Sequence, residues 1–381
     1  MDFEFTDDQV SLRDAVARWV EKGFSFERRH GIAKAGGRTR EVYRELADLG
    51  LAGVAIAEAH GGMANAQSSG AVEAMVVMEE LGRGLVNAPY AAGALVAPTL
   101  LGAAPAALQA AWLPRVASGD VLVVLAHQER VARYRLHQVT TRALESGSGY
   151  VISGAKSVVP AGDEADAFIV PARISGADDD VAGIGLFVVE RAASGVSVRG
   201  YPTQDGARAA ELQLANAPAT LITTDGGALL EFAADVGIAA ACAEAVGLMD
   251  RLVAITVEYM NTRKQFGATL ASFQALRHRV ADVKMQLELG RSMSYFASLK
   301  LGDATPARRR ALSQAKVQLG QSMRFIGQQC IQLHGGIGVT DEYIASHYFK
   351  RLTMLEMSFG DTLHHLGEVS TRMQDTAGVF A

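Results

Sequence analysis

Cysteine is scarce: only Cys242 and Cys330 occur in 381 residues. Both sit in apolar stretches of helical period, and their spacing suits neither a metal nor a redox motif, so a disulfide scaffold is excluded and no metal is expected. A reducing, cytoplasmic compartment follows from the same scarcity. Charge of one sign is not in excess either. The 36 Lys and Arg stand against 41 Asp and Glu for a formal net charge of -5, and no like-charge run reads as a tail, so there is no field for nucleic acid. The start, Met1-Asp2-Phe3-Glu4-Phe5-Thr6-Asp7-Asp8, lacks the charged-then-apolar order of a signal peptide. Apolar runs such as 121–126 are too short to cross a bilayer, and no membrane span is expected. What remains is a chain with 49% apolar residues, long enough for two or three domains with a sizeable core.

The pattern changes twice along the chain. Residues 1–119 read as an all-α domain, opening with Thr6 as N-cap and Gln9 three residues on, a capping box followed by Val10, Leu12, Val16 and Val20. Residues 120–225 turn to short β-branched runs, 121–125, 150–152, 168–170, 184–189 and 196–198, divided by clusters such as Ser146-Gly147-Ser148-Gly149. They read as a small β-barrel or sandwich domain. From 226 to 381 the helical period returns. Phe273, Leu276, Val280, Val283 and Leu287 step by three and four, as do Leu312, Ala315, Leu319, Met323, Ile326, Cys330 and Leu333. Thr305-Pro306 marks a helix start with Thr as cap and Pro at the first helical position. Long helices with short joins suggest a four-helix bundle. The fold class is therefore multi-domain α+β.

Three short runs in the last third carry chemistry: Arg263-Lys264-Gln265-Phe266-Gly267, then Gln332-Leu333-His334-Gly335-Gly336, then Phe359-Gly360-Asp361-Thr362. The first two contain a permanent forked cation for pyrophosphate, a flat apolar face, an amide, and glycines that admit backbone close to a ligand. Taken singly, each reads as well as a helix end with a buried Phe or a Gly-Gly stop.

With the domain order, these runs resemble the acyl-CoA dehydrogenase family along essentially the full chain. Supporting stretches are Leu46-Ala47-Asp48-Leu49-Gly50-Leu51 with Gly61-Gly62, Glu79-Glu80-Leu81-Gly82-Arg83-Gly84, and Trp112-Leu113-Pro114. Tyr201-Pro202-Thr203-Gln204-Asp205-Gly206 and His347-Tyr348-Phe349-Lys350-Arg351-Leu352-Thr353 look like the branch described as the small subunit of pimeloyl-CoA dehydrogenase. The resemblance implies FAD lying across a subunit interface, with Arg263, Phe266, Gln332, Gly335 and Gly336 reaching the neighbour's cofactor. It implies cofactor roles for Gln274 and Thr362 too. In the β domain, Gln128 stands in the place of a family Thr, and Gly154-Ala155-Lys156 matches a family Gly-x-Lys that is followed here by Val158, Val159 and Pro160.

The implied reaction is α,β-dehydrogenation of an acyl-CoA to the 2-enoyl-CoA, on a thioester that in this branch ends in a second carboxylate, with an electron-transfer protein as acceptor. It demands a carboxylate base in a water-poor pocket. Matched on Thr362, the usual Glu position is Gly360; the minority position, on the first bundle helix, is Gly237. Two carboxylates remain as candidate catalytic residues: Glu244, whose other reading is an internal ion pair with an Arg or His, and Asp361, whose other reading is a cap on the turn before His364 and His365. The chain acts alone, as homodimer or homotetramer, or in a heterotetramer with a large subunit. The alternatives are a non-catalytic small subunit completing a partner's FAD site and a flavin oxidase of the nitroalkane oxidase type.

Overall fold

The computed structural model describes residues 5–65, 70–147 and 149–373; residues 1–4 of the acidic start and Ser148 of the Gly-Ser turn lie outside the described residues. Among the described residues, helices come first: α1 (Asp7–Gly23), α2 (Phe26–Lys34), α3 (Arg40–Asp48), α4 (Ala71–Arg83), α5 (Ala97–Leu101) and α6 (Ala106–Ala117). Seven strands follow: β1 (Val123–Leu125), β2 (Arg142–Ser146), β3 (Gly149–Pro160), β4 (Ala167–Arg173), β5 (Ile184–Glu190), β6 (Val196–Pro202) and β7 (Arg208–Thr223). Then come α7 (Gly227–Thr262), a hairpin of β8 (Lys264–Gln265) and β9 (Ala268–Thr269), α8 (Gln274–Leu299), α9 (Thr305–His334), α10 (Ile344–Met357) and α11 (Thr362–Met373). The α, β, α order is the expected one. The chain divides into two compact units, residues 1–29, 75–86 and 238–381 in the first and 30–74 and 87–237 in the second.

The first unit is helical. Its core joins Ile238, Cys242, Val246, Met249 and Leu252 of α7 to Val283 and Leu287 of α8, the stripe of α9 from Leu312 to Cys330, and Tyr348 and Leu352 of α10. The stripe read from spacing on α9 is buried throughout. Removing that area from water is the main stabilising term of the bundle. Thr6 and Gln9 form the expected capping box on α1. At α9 the cap sits one residue earlier than the sequence suggests: Ala304 flanks the helix and donates no side-chain cap. Helix α7 runs 36 residues, and an 18-residue window of mean hydropathy 1.6 is 89% buried; length and composition would let it cross a membrane, and burial identifies it as a core helix. It meets α4 backbone to backbone: a Cβ at Gly247 would lie 1.8 Å from the Glu79 carbonyl oxygen, and one at Gly82 would lie 2.2 Å from that of Glu244. Only glycine allows this approach. Arg83 and Arg291 pair with Glu79 and Asp250 beside the crossing.

The second unit is built on the sheet. β4 pairs with β2 and β5, and the path β4-β2-β3-β7-β5 closes on itself, with β1 beside β4 and β6 beside β7. Closure removes the edges of these five strands, as a barrel does, and leaves β1 and β6 with one partner each. Four of the expected strands run longer than their β-branched runs. β2 and the 16-residue β7 are absent from the sequence reading because β7, Arg-Ala-Ala-Glu-Leu-Gln-Leu-Ala-Asn-Ala-Pro-Ala-Thr at its start, is poor in β-branched residues; its pairing with β3, β5 and β6 overrides weak local preference.

Candidate functional site

In the first unit, α7 stops at Thr262 and the chain turns through the β8–β9 hairpin, where Lys264 pairs with Thr269 and Gln265 with Ala268. The two loop residues, Phe266 and Gly267, have φ of 54° and 78°, the twist that a two-residue hairpin loop requires. Phe266 is therefore held in a conformation that costs an L-residue about 1–2 kcal/mol, with its ring 93% exposed. Along the chain, α9 ends at His334, and Gly335, with φ 65°, opens a 3₁₀ turn to Val339. Arg263, Gln332, Gly335 and Gly336 line one depression of about 710 Å³, together with Tyr259 and Arg279. The side chains of Arg263 and Gln332 make no hydrogen bond or ion pair among the described residues. A Cβ on either glycine would meet nothing within 4 Å, so at Gly336 nothing in this chain's own packing requires glycine. A free forked cation, a free amide and uncovered glycine backbone fit the pyrophosphate and ribityl parts of FAD. Beneath them His334 is buried, its Nδ1 2.8 Å from the Cys330 carbonyl and its Nε2 3.3 Å from the Tyr343 hydroxyl, and burial lowers its pKa.

The other expected contacts stand elsewhere. Gln274 is exposed in the first turn of α8. Thr362 is engaged: its backbone N–H and hydroxyl donate to Glu356 Oε1 at 3.0 and 2.6 Å. Gln128 belongs to the second unit, where its carbonyl accepts from the Ser157 N–H at 2.8 Å.

The loop between α10 and α11 holds the position where the resemblance sets the base. Gly360 is buried with φ 113°, and a Cβ there would lie 2.5 Å from His364 Cδ2 and 2.6 Å from His365 Nε2. The space in which a side chain at 360 would begin is filled by two imidazoles. Asp361 Oδ1 accepts from the His364 N–H at 2.8 Å, which caps α11. His365 is tied at both nitrogens, Nε2 to the Phe359 carbonyl at 3.0 Å and Nδ1 to Ser313 Oγ at 3.3 Å; burial drives its pKa down to about 3. Lys316, also buried, donates to the carbonyls of Leu355 and Glu356 at 2.7 and 2.8 Å and satisfies the last turn of α10. Burial brings its pKa down to about 8. Glu244 is buried and accepts two bonds from Arg351, Nε to Oε1 at 2.5 Å and Nη2 to Oε2 at 2.8 Å. Both carboxylates named as candidate bases thus make the bonds of their structural readings.

In the second unit a buried ion pair joins Lys156 Nζ to Glu129 Oε1 at 2.7 Å, the two side chains 0% and 3% exposed. Glu129 also accepts from the backbone N–H and hydroxyl of Thr140 and of Thr141. Burial opposes the charge, yet Lys156 and these donors hold the Glu129 pKa at about 2. Val158 follows in a bulge of β3 with φ 51° and 42% exposure, a conformation that is strained for a β-branched residue. Sequence reasoning named Lys156 only within a motif, and missed its partner, because nothing in residues 126–130 says which side chain turns inward. It did not name Lys316, whose buried bonds run to the Leu355 and Glu356 carbonyls of another helix.

The chain matches the acyl-CoA dehydrogenase N-terminal domain over residues 6–120, the middle domain over 125–217 and the C-terminal domain over 228–374. It is 25% identical over 386 residues to acyl-CoA dehydrogenase FadE27 of Mycobacterium tuberculosis, covering 99% of this chain and 100% of that one. Among solved structures it is similar to a variant of the Tcur3481-Tcur3483 steroid ACAD, at 28% identity and a TM-score of 0.86 with 98% and 99% of the two chains covered. The glutaryl-coenzyme A dehydrogenase glutaryl-CoA complex shares the fold, with a TM-score of 0.91 at 22% identity over 98% and 97%. From its three domains in their order, this chain belongs to the acyl-CoA dehydrogenase family, FAD-dependent oxidoreductases that act on CH–CH bonds.

Proposed function

We propose that this chain holds FAD with Arg263, Gln332, Gly335 and Gly336 and oxidises an acyl-CoA to the 2-enoyl-CoA. The observation that carries the reading is the common wall of those four residues around the 710 Å³ depression. Arg263 binds the pyrophosphate through its fork, Gln332 donates and accepts at the nucleotide, and the glycines let the backbone close on it. Phe266 meets only the edge of Phe273 among the described rings and is otherwise 93% exposed, which supports a cradle shared between subunits of a homodimer or homotetramer. Gln274, Thr362 and Gln128 take lesser parts. Bound FAD supplies the acceptor for the β hydrogen; the buried Gly360 amide donates to the thioester oxygen. We assign an electron-transfer protein as re-oxidant and the cytoplasm as compartment, the latter on two buried free cysteines. A substrate tail with a second carboxylate rests on the likeness to the pimeloyl-CoA dehydrogenase small subunit.

A second reading is favoured by one observation: Glu244 and Asp361 are both engaged within the chain. In that reading the chain completes the FAD site of a catalytic large subunit in a heterotetramer, and the two-part name of the Tcur3481-Tcur3483 relative is in keeping with it. The test is flavin content of the chain purified alone, followed by anaerobic titration with monocarboxylyl- and dicarboxylyl-CoAs. Stoichiometric yellow flavin that bleaches with one of them supports the first reading, and loss of flavin in Arg263→Ala and Phe266→Ala supports the assigned contacts. A colourless chain that gains flavin only when a large subunit is co-expressed supports the second. Oxygen uptake with no other acceptor would mean an oxidase of the nitroalkane type instead.

A further inference from the structure

We infer that Arg279 is a second phosphate ligand, holding the pyrophosphate of FAD together with Arg263. The inference rests on the reading that this chain binds FAD, and it concerns a residue outside the runs that carry the cofactor motifs. Arg279 belongs to α8 and lines the same depression of about 710 Å³ as Arg263, Gln332, Gly335 and Gly336. No Asp or Glu is among the residues of that wall. A hollow with two guanidinium groups and no carboxylate favours an anion, and one that carries two neighbouring negative charges is favoured most.

The plain alternative is an arginine engaged in a surface ion pair. Its own helix offers a partner, since Asp282 stands three residues on, the spacing at which helix side chains meet. Arg279 nevertheless makes no ion pair among the described residues, and its one side-chain hydrogen bond there is long, Nη1 to Gln329 Oε1 at 3.4 Å. Gln329 lies on α9 one turn before Gln332. The bond therefore ties the guanidinium to the helix that carries another wall residue, and a neutral amide leaves its charge uncompensated. The chemistry of the ligand asks for such a group. A pyrophosphate carries negative oxygens on both phosphorus atoms, and one planar fork matches the oxygens of one phosphate. Arg263 supplies a fork from just past the end of α7, and Arg279 supplies the other from α8.

The experiment measures FAD and ADP binding by calorimetry on the flavin-free full chain, with its large subunit if flavin is retained only in that company. Arg279→Ala is expected to bind both ligands at least about 10-fold more weakly, the usual worth of a hydrogen bond to a charged group, with the melting temperature of the flavin-free protein unchanged. The loss should shrink as salt is raised, and Arg279→Lys, a point charge without the fork, should recover part of it. Gln329→Leu tests the structural alternative: it removes the one bond Arg279 makes within the chain and is expected to leave FAD affinity near the wild-type value. Wild-type affinity in Arg279→Ala, a loss for FAD without one for ADP, or an equal loss in Gln329→Leu overturns the inference and leaves the proposed function standing. No FAD binding by the wild type, alone or with a large subunit, overturns both.

Discussion

Replacing Lys156 with methionine keeps most of the side-chain volume and removes one charge from the most buried ion pair of the β unit. Glu129 would remain 3% exposed, with the Thr140 and Thr141 donors but no cation. Two routes give the size of the loss. Holding the Glu129 pKa at about 2 rather than its ordinary 4.5 stabilises the folded state by about 3 kcal/mol at neutral pH. Removing one member of a buried pair costs about 3–5 kcal/mol because the other charge is left stranded. The sign with pH follows from the depressed value: the contribution is complete above the unfolded carboxylate pKa of about 4.3 and is lost as pH falls toward about 2. In Lys156→Met this carboxylate titrates closer to its unfolded value, so the stability gap to wild type is expected to be widest at pH 7 and to narrow toward pH 3. Urea titrations with hydrogen-exchange labelling of β3 and β7 peptides measure both, since a global signal would mix the two units. A loss under about 1 kcal/mol at pH 7, or a gap that widens on acidification, would refute the reasoning.

Arg351→Met should cost about 3–5 kcal/mol by stranding buried Glu244, and thermal denaturation of the first unit reads it; Glu244→Gln should retain acyl-CoA α-hydrogen exchange per folded molecule, which a catalytic Glu244 would forbid. Gly336→Ala, where a Cβ meets nothing, is expected to change stability by no more than a few tenths of a kcal/mol, about 1 °C in melting temperature, while lowering FAD retention on gel filtration. Gly360→Glu should neither fold well nor gain activity: φ is 113° and the new Cβ overlaps His364, for a loss above about 2 kcal/mol in a denaturant titration.

What could be read in advance followed from how local each cause is. The α9 stripe from Leu312 to Leu333 is a matter of period, and burial of its members follows from the helix alone. The capping box at Thr6 and Gln9 is four residues long and is found as expected. β7 was not legible, because its strand state comes from three partner strands rather than from its own Ala-rich residues. In the cradle, Arg263, Gln332, Gly335 and Gly336 were named from motifs about 70 residues apart, and the C-terminal ends of α7 and α9 bring them to one wall. The cap by Asp361 on the His364 amide is local and was among the readings offered, whereas the partner of Glu244 is Arg351 on another helix, which spacing does not reveal. His364 itself was named only as what Asp361 might cap, since its approach to Gly360 depends on a backbone angle open to few residues but glycine.

The length of α7 bears on how the protein is made. Its apolar stretch finds cover in Leu287 of α8, Leu319 of α9 and Leu352 of α10, all of them later in the chain. When Thr262 has been polymerised, some 90 further residues must follow before Leu352 exists, which at about 5–20 residues per second takes on the order of 5–20 s. For that interval a segment of mean hydropathy 1.6 stands without its shelter beside a ribosome. Holding by a chaperone, or slow translation of neither α8 nor α9, decides whether the nascent bundle closes on itself or is captured by a membrane or a second nascent chain.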